Sequence, residues 1–557
     1  MPTREERVEQ VFNLERKLYT FENMPYPDFR QDDTYASFQG GLHALEQHLN
    51  KEWYHIFLGN EVRSNTRTYI SDDPNDKSVL GRFQGYDPST MDIAGLVKGT
   101  AKASKKCNAL GIEKRAQVID AAHAIMQQRI WLLTAALTRE VGKSGIEGYA
   151  GVAEALDFLR WDKILAQIEY VRPMPESPRS AGNFNDRVIV PYGAFLNLDP
   201  FNFQIAIGTD LIAKAFLMGN AVISSPSDKS SLSGLLMYRV FDDALRACGV
   251  ENDGIISFAP GGADLAQAIL EQPDLSALCF TGSYNVLDHQ IMDRWGGMQR
   301  SNGGKMVIAA AETSGMGVLY VHSDASLDIA IPAVAASQCG LSGQKCSALN
   351  TLLVHKDIYN RLMPRVFDAI RRLSYGPTKD GNYMGAVISQ TAKEKIEGQI
   401  ETLVRDYGAD VIYQKDIGRD NSGYDVAPAI LEVDYHNLSE QQRKEVRNME
   451  IFGPVVVVMK VNNEDEAERA YNASDFALTG GICTEDQELI EHASNEWRTG
   501  NFYVNRKITG AFVGSEQFGG MVSRSSLNGI SAGSVHALAL FYSDRTISGN
   551  MPAPKTE

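Results

Sequence analysis

The sequence predicts an α/β fold built around parallel sheet, and two patterns carry that reading. Short apolar runs of strand length alternate with stretches of helical periodicity through most of the chain. This rhythm places helices on the faces of a parallel sheet. The longest β-like run, Pro454-Val455-Val456-Val457-Val458-Met459, has the length of one buried strand, and no apolar stretch is long enough to span a membrane. Composition agrees: 557 residues, 43% of them hydrophobic and 22% charged, suffice for a sizeable core and exclude disorder or a repetitive fibre as the main state. The length alone suggests three to four units at roughly 150 residues each.

Taken in order, the first 60 residues are polar but rich in aromatics (Tyr19, Phe21, Tyr26, Phe29, Tyr35, Phe38), which predicts a packed extension. Helical pattern begins after Asp87-Pro88, with Ser89 or Thr90 as the expected cap. Apolar positions from Ala116 to Ile125 and from Leu132 to Leu137 fit two amphipathic helices, and a third follows through Ala153, Leu156 and Leu159. Residues 187–192 and 193–198 read as two short strands around a Pro/Gly break, hence a hairpin or edge ribbon. Strands are then expected at 221–224, 254–258, 278–280 and 305–309, and in a second alternating region near 351–354, 454–461 and 501–504. The stretch 537–542 is strand-like. No fixed-period repeat or Pro/Gly/Ser-rich linker separates independent domains.

Lys plus Arg total 54 and Asp plus Glu 70, a net charge of −16. This acidity, without a basic stripe, argues against nucleic acid as a partner. The N-terminal MPTREERVEQ is charged and mixed in sign, so neither a secretory nor a transit segment is expected. Six cysteines are too few for a disulfide scaffold. None shows CxxC or Cys/His ligand spacing, so no metal is expected. Together these predict thiols in a reducing, cytoplasmic setting with no membrane association.

The strongest chemical signal is Gly343-Gln344-Lys345-Cys346-Ser347-Ala348, a small-residue turn that sets a cysteine beside a lysine. Cysteine attacks carbonyls as thiolate, and nearby positive charge lowers its pKa. The plain alternative is a buried structural cysteine, and Cys107, Cys248, Cys279, Cys339 and Cys483 receive that reading.

Cys346 stands apart because other motifs accompany it in order: Pro200-Phe201-Asn202-Phe203, Leu217-Met218-Gly219-Asn220, Phe280-Thr281-Gly282-Ser283 and Glu312 before it. After it come Glu450-Ile451-Phe452-Gly453-Pro454, Gly500 to Arg506, Ile508-Thr509-Gly510-Ala511 and Phe518-Gly519-Gly520. From about residue 50 to 550 the chain resembles the aldehyde dehydrogenase superfamily, and within it the branch that oxidises L-glutamate 5-semialdehyde, formed by hydrolysis of 1-pyrroline-5-carboxylate, to L-glutamate in proline breakdown.

That resemblance implies an aldehyde dehydrogenase-like fold: a Rossmann-type dinucleotide-binding domain (residues 1–186 and 200–311), a catalytic domain (312–525) and a small β oligomerisation flap (187–199 and 526–557). It implies Cys346 as nucleophile, Asn202 and the Cys346 N–H as oxyanion donors, and Glu312 as general base. NAD is the implied cofactor, with NADP not excluded, because hydride needs an acceptor the protein lacks. Its implied contacts are Ser225, Gly282 and Ser283 near the adenosine and pyrophosphate, and Glu450 and Phe452 near the nicotinamide. For the substrate, Ser347, Gly510 and Ala511 match the carboxylate anchor, and Phe203 and Phe518 the aromatic clamp. The implied assembly is a homodimer or higher homo-oligomer, with a separate proline dehydrogenase as supplier of substrate.

The chain departs from the family pattern at four places. Ser225 stands where a lysine is usual, with Lys229 as a partial substitute; Ser314-Gly315-Met316 replaces a Gly-Gly-Lys; Gln517 replaces a proline; and residues 521–526 differ. They motivate two alternatives: an aldehyde dehydrogenase for another semialdehyde, or a catalytically weak homologue serving as a binding or assembly subunit.

Overall fold

The computed structural model describes residues 4–64, 68–174, 183–293, 307–419, 422–530 and 532–550. Two seven-stranded sheets form its framework. In spatial order the first runs Val307–Glu312, Leu275–Thr281, Ala194–Asp199, Ala221–Pro226, Ile256–Phe258, His55–Phe57 and Asn60–Val62, parallel except at the last two pairings. The second runs Asp410–Gln414, Ala429–Glu432, Val455–Val461, Leu349–His355, Gly317–Val321, Thr479–Cys483 and Asn501–Val504, antiparallel only at its first pairing. Parallel strands covered on both faces read as continuous apolar runs. Val455–Val461 does so, with Lys460 its one exposed residue.

The strands expected from the alternating pattern all appear, though residues 305 and 306 lie outside the described residues. Asp410–Gln414, Ala429–Glu432 and Thr479–Cys483 were not anticipated. The expected helices occupy Gly111–Gln128, Ile130–Val141 and Gly145–Val171. The first helix of this region starts later than expected. Asp92, whose carboxylate accepts from the Gly95 N–H at 2.7 Å, caps Ile93–Ala109. Ser89 instead hydrogen-bonds to Asp87 in the preceding turn.

The stretch 187–199 does not form a hairpin. Ala194–Asp199 sits inside the first sheet, between Leu275–Thr281 and Ala221–Pro226. Its predecessor Asn183–Pro191 pairs antiparallel with Tyr542–Asn550, more than 350 residues away. The Pro191-Tyr192-Gly193 break therefore divides two sheets. The strand-like stretch 537–542 is also corrected: Ala537–Phe541 is a 3-10 helix, and the strand begins at Tyr542.

The N-terminal extension is packed as expected. Its helices Arg4–Tyr19 and Asp32–Glu46 lie against the body, the Phe29 ring meets Phe38, Trp131 and Tyr149 edge-on, and Arg7 donates to the Val171 carbonyl at 3.0 Å. Among the described residues no helix is long and apolar enough to cross a membrane.

Candidate active site

The two sheets meet at Cys346. The first delivers residues from the carboxyl ends of its strands: Pro200–Phe203 after Ala194–Asp199, Gly282 and Ser283 after Leu275–Thr281, and Glu312 at the end of Val307–Glu312. The second delivers residues from its amino ends: Ser314–Met316 before Gly317–Val321, Cys346 before Leu349–His355, and Glu450–Phe452 before Val455–Val461.

The loop carrying Cys346 is held in a demanding conformation. Leu341 and Ser342 are both left-handed, with φ of 49°, a state costly for residues with a side chain. Gly343 follows at φ 72°, and a Cβ there would lie 2.0 Å from the Gly453 carbonyl oxygen, so only glycine fits. Hydrogen bonds hold the strained turn. Gln344 accepts from the Ile388 N–H at 2.8 Å, the Glu147 carboxylate accepts from the Leu341 N–H at 2.9 Å, and Asn202 Nδ2 donates to the Gln344 carbonyl at 2.8 Å. That last bond fixes the buried Asn202 side-chain amide against Gln344, two residues before Cys346, and leaves its second N–H free to donate.

The Cys346 thiol is pushed up to about 12, first by burial, then by the carboxylates of Glu450 and Glu312; the N–H groups of Cys346 and Ser347 act in the opposite direction. The expectation of a lysine-assisted thiolate is thus corrected. Lys345 points away and pairs with Glu147 at 2.5 Å. The other cysteines do not differ on acidity, since burial lifts Cys107, Cys339 and Cys483 to about 12 as well. Surroundings set Cys346 apart: it lines both of the cavities described below.

Glu312 lines the same cavity as Cys346. Burial raises its carboxyl to about 7 against hydrogen bonds from Ser526 and the Gly520 N–H, which favour the ionised form. Ser526 Oγ lies 2.5 Å from Oε1 and the Gly520 nitrogen 3.2 Å from Oε2. Residues 524–527 are stitched to 311–313: the Leu527 N–H donates to Ala311 O, and the Thr313 N–H to Ser525 O. Ser526 was not anticipated as a functional residue. The departure of 521–526 from the family pattern was the only sequence signal.

Two cavities open on the thiol. One is lined by Cys346, Glu312 and all five residues expected at the substrate: Phe203, Ser347, Gly510, Ala511 and Phe518. The Lys143 ammonium lies 4.3 Å from the Phe203 ring centre, a cation–π contact that backs the clamp. Asn501 ties down the loop before Phe518, donating to Gln517 O at 2.7 Å and accepting from the Gly519 N–H at 3.1 Å. Gln517 itself is exposed, so the missing proline leaves this tether intact.

The other cavity holds Gly282, Ser283, Glu450 and Phe452 together with Cys346 and Asn202. A further pocket with Ser225, Ser227 and Asp228 adjoins it through the shared residues Asp199, Phe280 and Val286. Here the structure adds Lys395, Ser227 and Asp228 to the expected set. Lys229 Nζ lies 3.2 Å from Asp228 and is taken up by that ion pair. After Ser283 the chain forms a π-helical segment, Val286–Met292, and residues 294–306 lie outside the described residues.

The departures at 314–316 have a structural role. Ser314 and the Gly315 N–H hydrogen-bond to the Glu450 carboxylate, whose pKa burial nevertheless raises. Gly315 is required because a Cβ there would meet the Cys346 carbonyl oxygen at 1.9 Å. Met316 is buried, and its carbonyl accepts from the fully buried guanidinium of Arg447. Glu450 Oε1 is buried without a hydrogen-bond partner among the described residues. A ligand hydroxyl in this cavity would supply the donor that Glu450 Oε1 lacks.

The family model for the aldehyde dehydrogenase family matches residues 62–547. A 1-pyrroline-5-carboxylate dehydrogenase of Bacillus subtilis is 30% identical over 532 residues, covering 95% of this chain and 99% of that protein. The crystal structure of 1-pyrroline-5-carboxylate dehydrogenase from Thermus with bound NAD superimposes with a TM-score of 0.87 at 28% identity, over 95% of this chain and 99% of that one. Proline utilization A from Bdellovibrio bacteriovorus matches with a TM-score of 0.87 at 26% identity, over 95% of this chain but 53% of that one.

Proposed function

The chain belongs to the aldehyde dehydrogenase family, and on that premise we propose that it oxidises L-glutamate 5-semialdehyde, from 1-pyrroline-5-carboxylate, to L-glutamate with NAD. One observation carries the proposal: Cys346 lies where a cavity lined by Phe203, Ser347, Gly510, Ala511 and Phe518 meets a second cavity lined by Gly282, Ser283, Glu450 and Phe452. The relatives named for this reaction span the chain almost end to end.

The residues divide the work as follows. Glu312, near pH 7 in its proton affinity, takes the Cys346 proton as the thiolate attacks the aldehyde carbon. Asn202 Nδ2–H and the Cys346 N–H receive the oxyanion that forms. Donors preset at such a site contribute roughly 2.7–4 kcal/mol each. The Glu450–Phe452 side would hold NAD, which would supply the acceptor for the aldehyde hydride. Loss of hydride would leave a thioester on Cys346; Glu312, once it has passed the first proton to solvent, takes a proton from the water that hydrolyses the thioester and returns it to the departing Cys346 thiolate. Ser347 with the backbone of Gly510 and Ala511 anchors the carboxylate, while Phe203 and Phe518 hold the methylene chain.

We read the first sheet as the core of the dinucleotide-binding domain and the second as the catalytic domain. The Asn183–Pro191/Tyr542–Asn550 ribbon exposes Val188 and Ile547 and serves as the self-association surface. Sedimentation that finds only monomer rejects that role. Substrate comes from a separate proline-oxidising enzyme.

The direct test is incubation of the purified protein with 1-pyrroline-5-carboxylate and NAD, following NADH absorbance. Formation of NADH with stoichiometric glutamate is expected, and absence of both overturns the function. The weak-homologue alternative finds no support in the geometry, because nucleophile, amide and carboxylate converge on one cavity junction.

A further inference from the structure

Arg447 is a buried cation that none of the chemistry above uses. It closes the helix Glu440–Arg447, three residues before Glu450, and is 1% exposed. Every nitrogen of its guanidinium meets an oxygen. Nε donates to the Ala470 carbonyl at 3.0 Å, Nη1 to Thr351 Oγ1 at 3.0 Å and Nη2 to the Tyr471 carbonyl at 3.3 Å. Nη1 and Nη2 both reach the Met316 carbonyl at 3.4 Å. None of these partners is a carboxylate. Burial lowers the guanidinium to about 10, so it still carries its charge at neutral pH.

Buried charge without a counter-charge is costly. The best-attested use of such a group is to fix one arrangement of the chain against others. Met316 precedes the strand Gly317–Val321, and Thr351 lies in Leu349–His355, the strand that follows Cys346. Arg447 itself leads through Glu450 into Val455–Val461. One side chain thus ties together the three adjacent strands whose amino ends carry Ser314 and Gly315, Cys346, and Glu450.

The consequence falls on the Glu450 carboxylate. The backbone around it is held separately: Asn350 Nδ2 donates to the Met449 carbonyl at 3.0 Å, and Gln399 Nε2 to the Glu450 carbonyl at 2.8 Å. The hydrogen bonds to the carboxylate come from Ser314 and the Gly315 N–H. Ser525 Oγ holds the start of that turn, donating to the Ser314 carbonyl at 2.8 Å, and Arg447 holds its end at Met316. Without Arg447 the Met316 carbonyl loses both N–H groups that grip it.

We propose that Arg447 is a positioning residue for the dinucleotide. By holding the Met316 carbonyl it keeps Ser314 and Gly315 against the Glu450 carboxylate, which leaves Oε1 for a hydroxyl of the ligand. The inference rests on the proposed function and extends it to a residue that does not line the cavity.

Fluorescence titration of NAD, arranged as a double-mutant cycle with Glu450, is the test. Arg447→Met removes the charge and all the donors and is expected to weaken NAD binding about tenfold. Arg447→Lys keeps the charge with three donors in place of five and is expected to lose about threefold. Circular dichroism reports the fold, and Arg447→Lys carries the test if Arg447→Met does not fold. In a Glu450→Ala background either change should weaken binding less than about twofold, because the carboxylate through which Arg447 acts is gone. Wild-type affinity in folded Arg447→Met, or in Arg447→Lys where Arg447→Met does not fold, overturns the proposal. So does a loss of equal size with and without Glu450, which makes Arg447 a matter of folding alone. A wild-type protein that binds no NAD and forms no NADH from 1-pyrroline-5-carboxylate removes the functional reading and the positioning role with it. A wild-type protein that does both leaves the cycle to decide Arg447 alone.

Discussion

The two seven-stranded sheets approach Cys346 from opposite ends of their strands. The first obeys the rule that ligands lie at the carboxyl ends of parallel strands: Asn202, Ser225, Gly282, Ser283 and Glu312 all follow or close a strand. The second inverts it. Its carboxyl ends carry His322, which contacts Asp324 at 2.7 Å and Glu464 at 2.8 Å, while Cys346 and Glu450 precede their strands. A strand's carboxyl end offers a loop that enters a helix and is easily shaped. An amino end must be reached by chain arriving from elsewhere, which explains why the left-handed pair Leu341 and Ser342 and the close approach at Gly343 sit on that side.

The contrast implies a division of labour that mutation can break. Cys346→Ala is expected to have the largest effect, reducing NADH formation to background, since the proposed nucleophile comes from the second sheet alone. NAD binding, measured by fluorescence titration, should remain within about twofold. Loss of binding as well would show that the two sides are not separable. Glu312→Gln acts from the first sheet and should lower kcat by roughly 10²–10⁴. NADH formation should be slowed in the first turnover as well as in later ones, because the proposed base acts both on the thiol and on the hydrolytic water. Stopped-flow absorbance checks this: a rapid burst of one equivalent of NADH would confine Glu312 to thioester hydrolysis. Asn202→Ala removes one oxyanion donor and should cost roughly 10²–10³ in kcat, with KM changed far less. A change confined to KM would assign Asn202 to binding.

The sequence made the first sheet's contribution legible because each motif there is local: a strand, a turn of small residues and the next helix lie within about a dozen positions. Cys346 and Glu450 were legible through motif order, not through any strand rule. Three features were hidden. The pairing of Asn183–Pro191 with Tyr542–Asn550 joins segments at opposite ends of the chain, and nothing in either strand names the other. Thr479–Cys483 carries two glycines and reads as a turn, although all five residues are buried in the sheet. The expected partnership of Lys345 with Cys346 failed because adjacent side chains along the chain need not face the same way, and Glu147 offered a carboxylate on the other side. By contrast, Asp210 and Lys214 carried a readable signal: opposite charges four apart within an otherwise apolar helix mark a buried pair.

The smallest predicted effect probes where the two sheets are joined. Ser526 has one hydroxyl proton. Its oxygen already accepts from the Gly529 N–H at 3.0 Å, so that proton is directed to Glu312 Oε1 at 2.5 Å. The bond stabilises the carboxylate and opposes the burial that raises Glu312 to about 7. A hydrogen bond to a charged group contributes roughly 1.5 kcal/mol, about one pKa unit. Ser526→Ala should therefore move the acid limb of the kcat profile upward by about one unit: the base must lose its proton to act, and without Ser526 it holds that proton to higher pH. At pH well above the limb the variant and wild-type rates should converge, and Ser526→Thr should restore the profile. A rate lowered equally at every pH would mean that Ser526 only shapes the loop, and the junction of the sheets would then be a matter of packing alone.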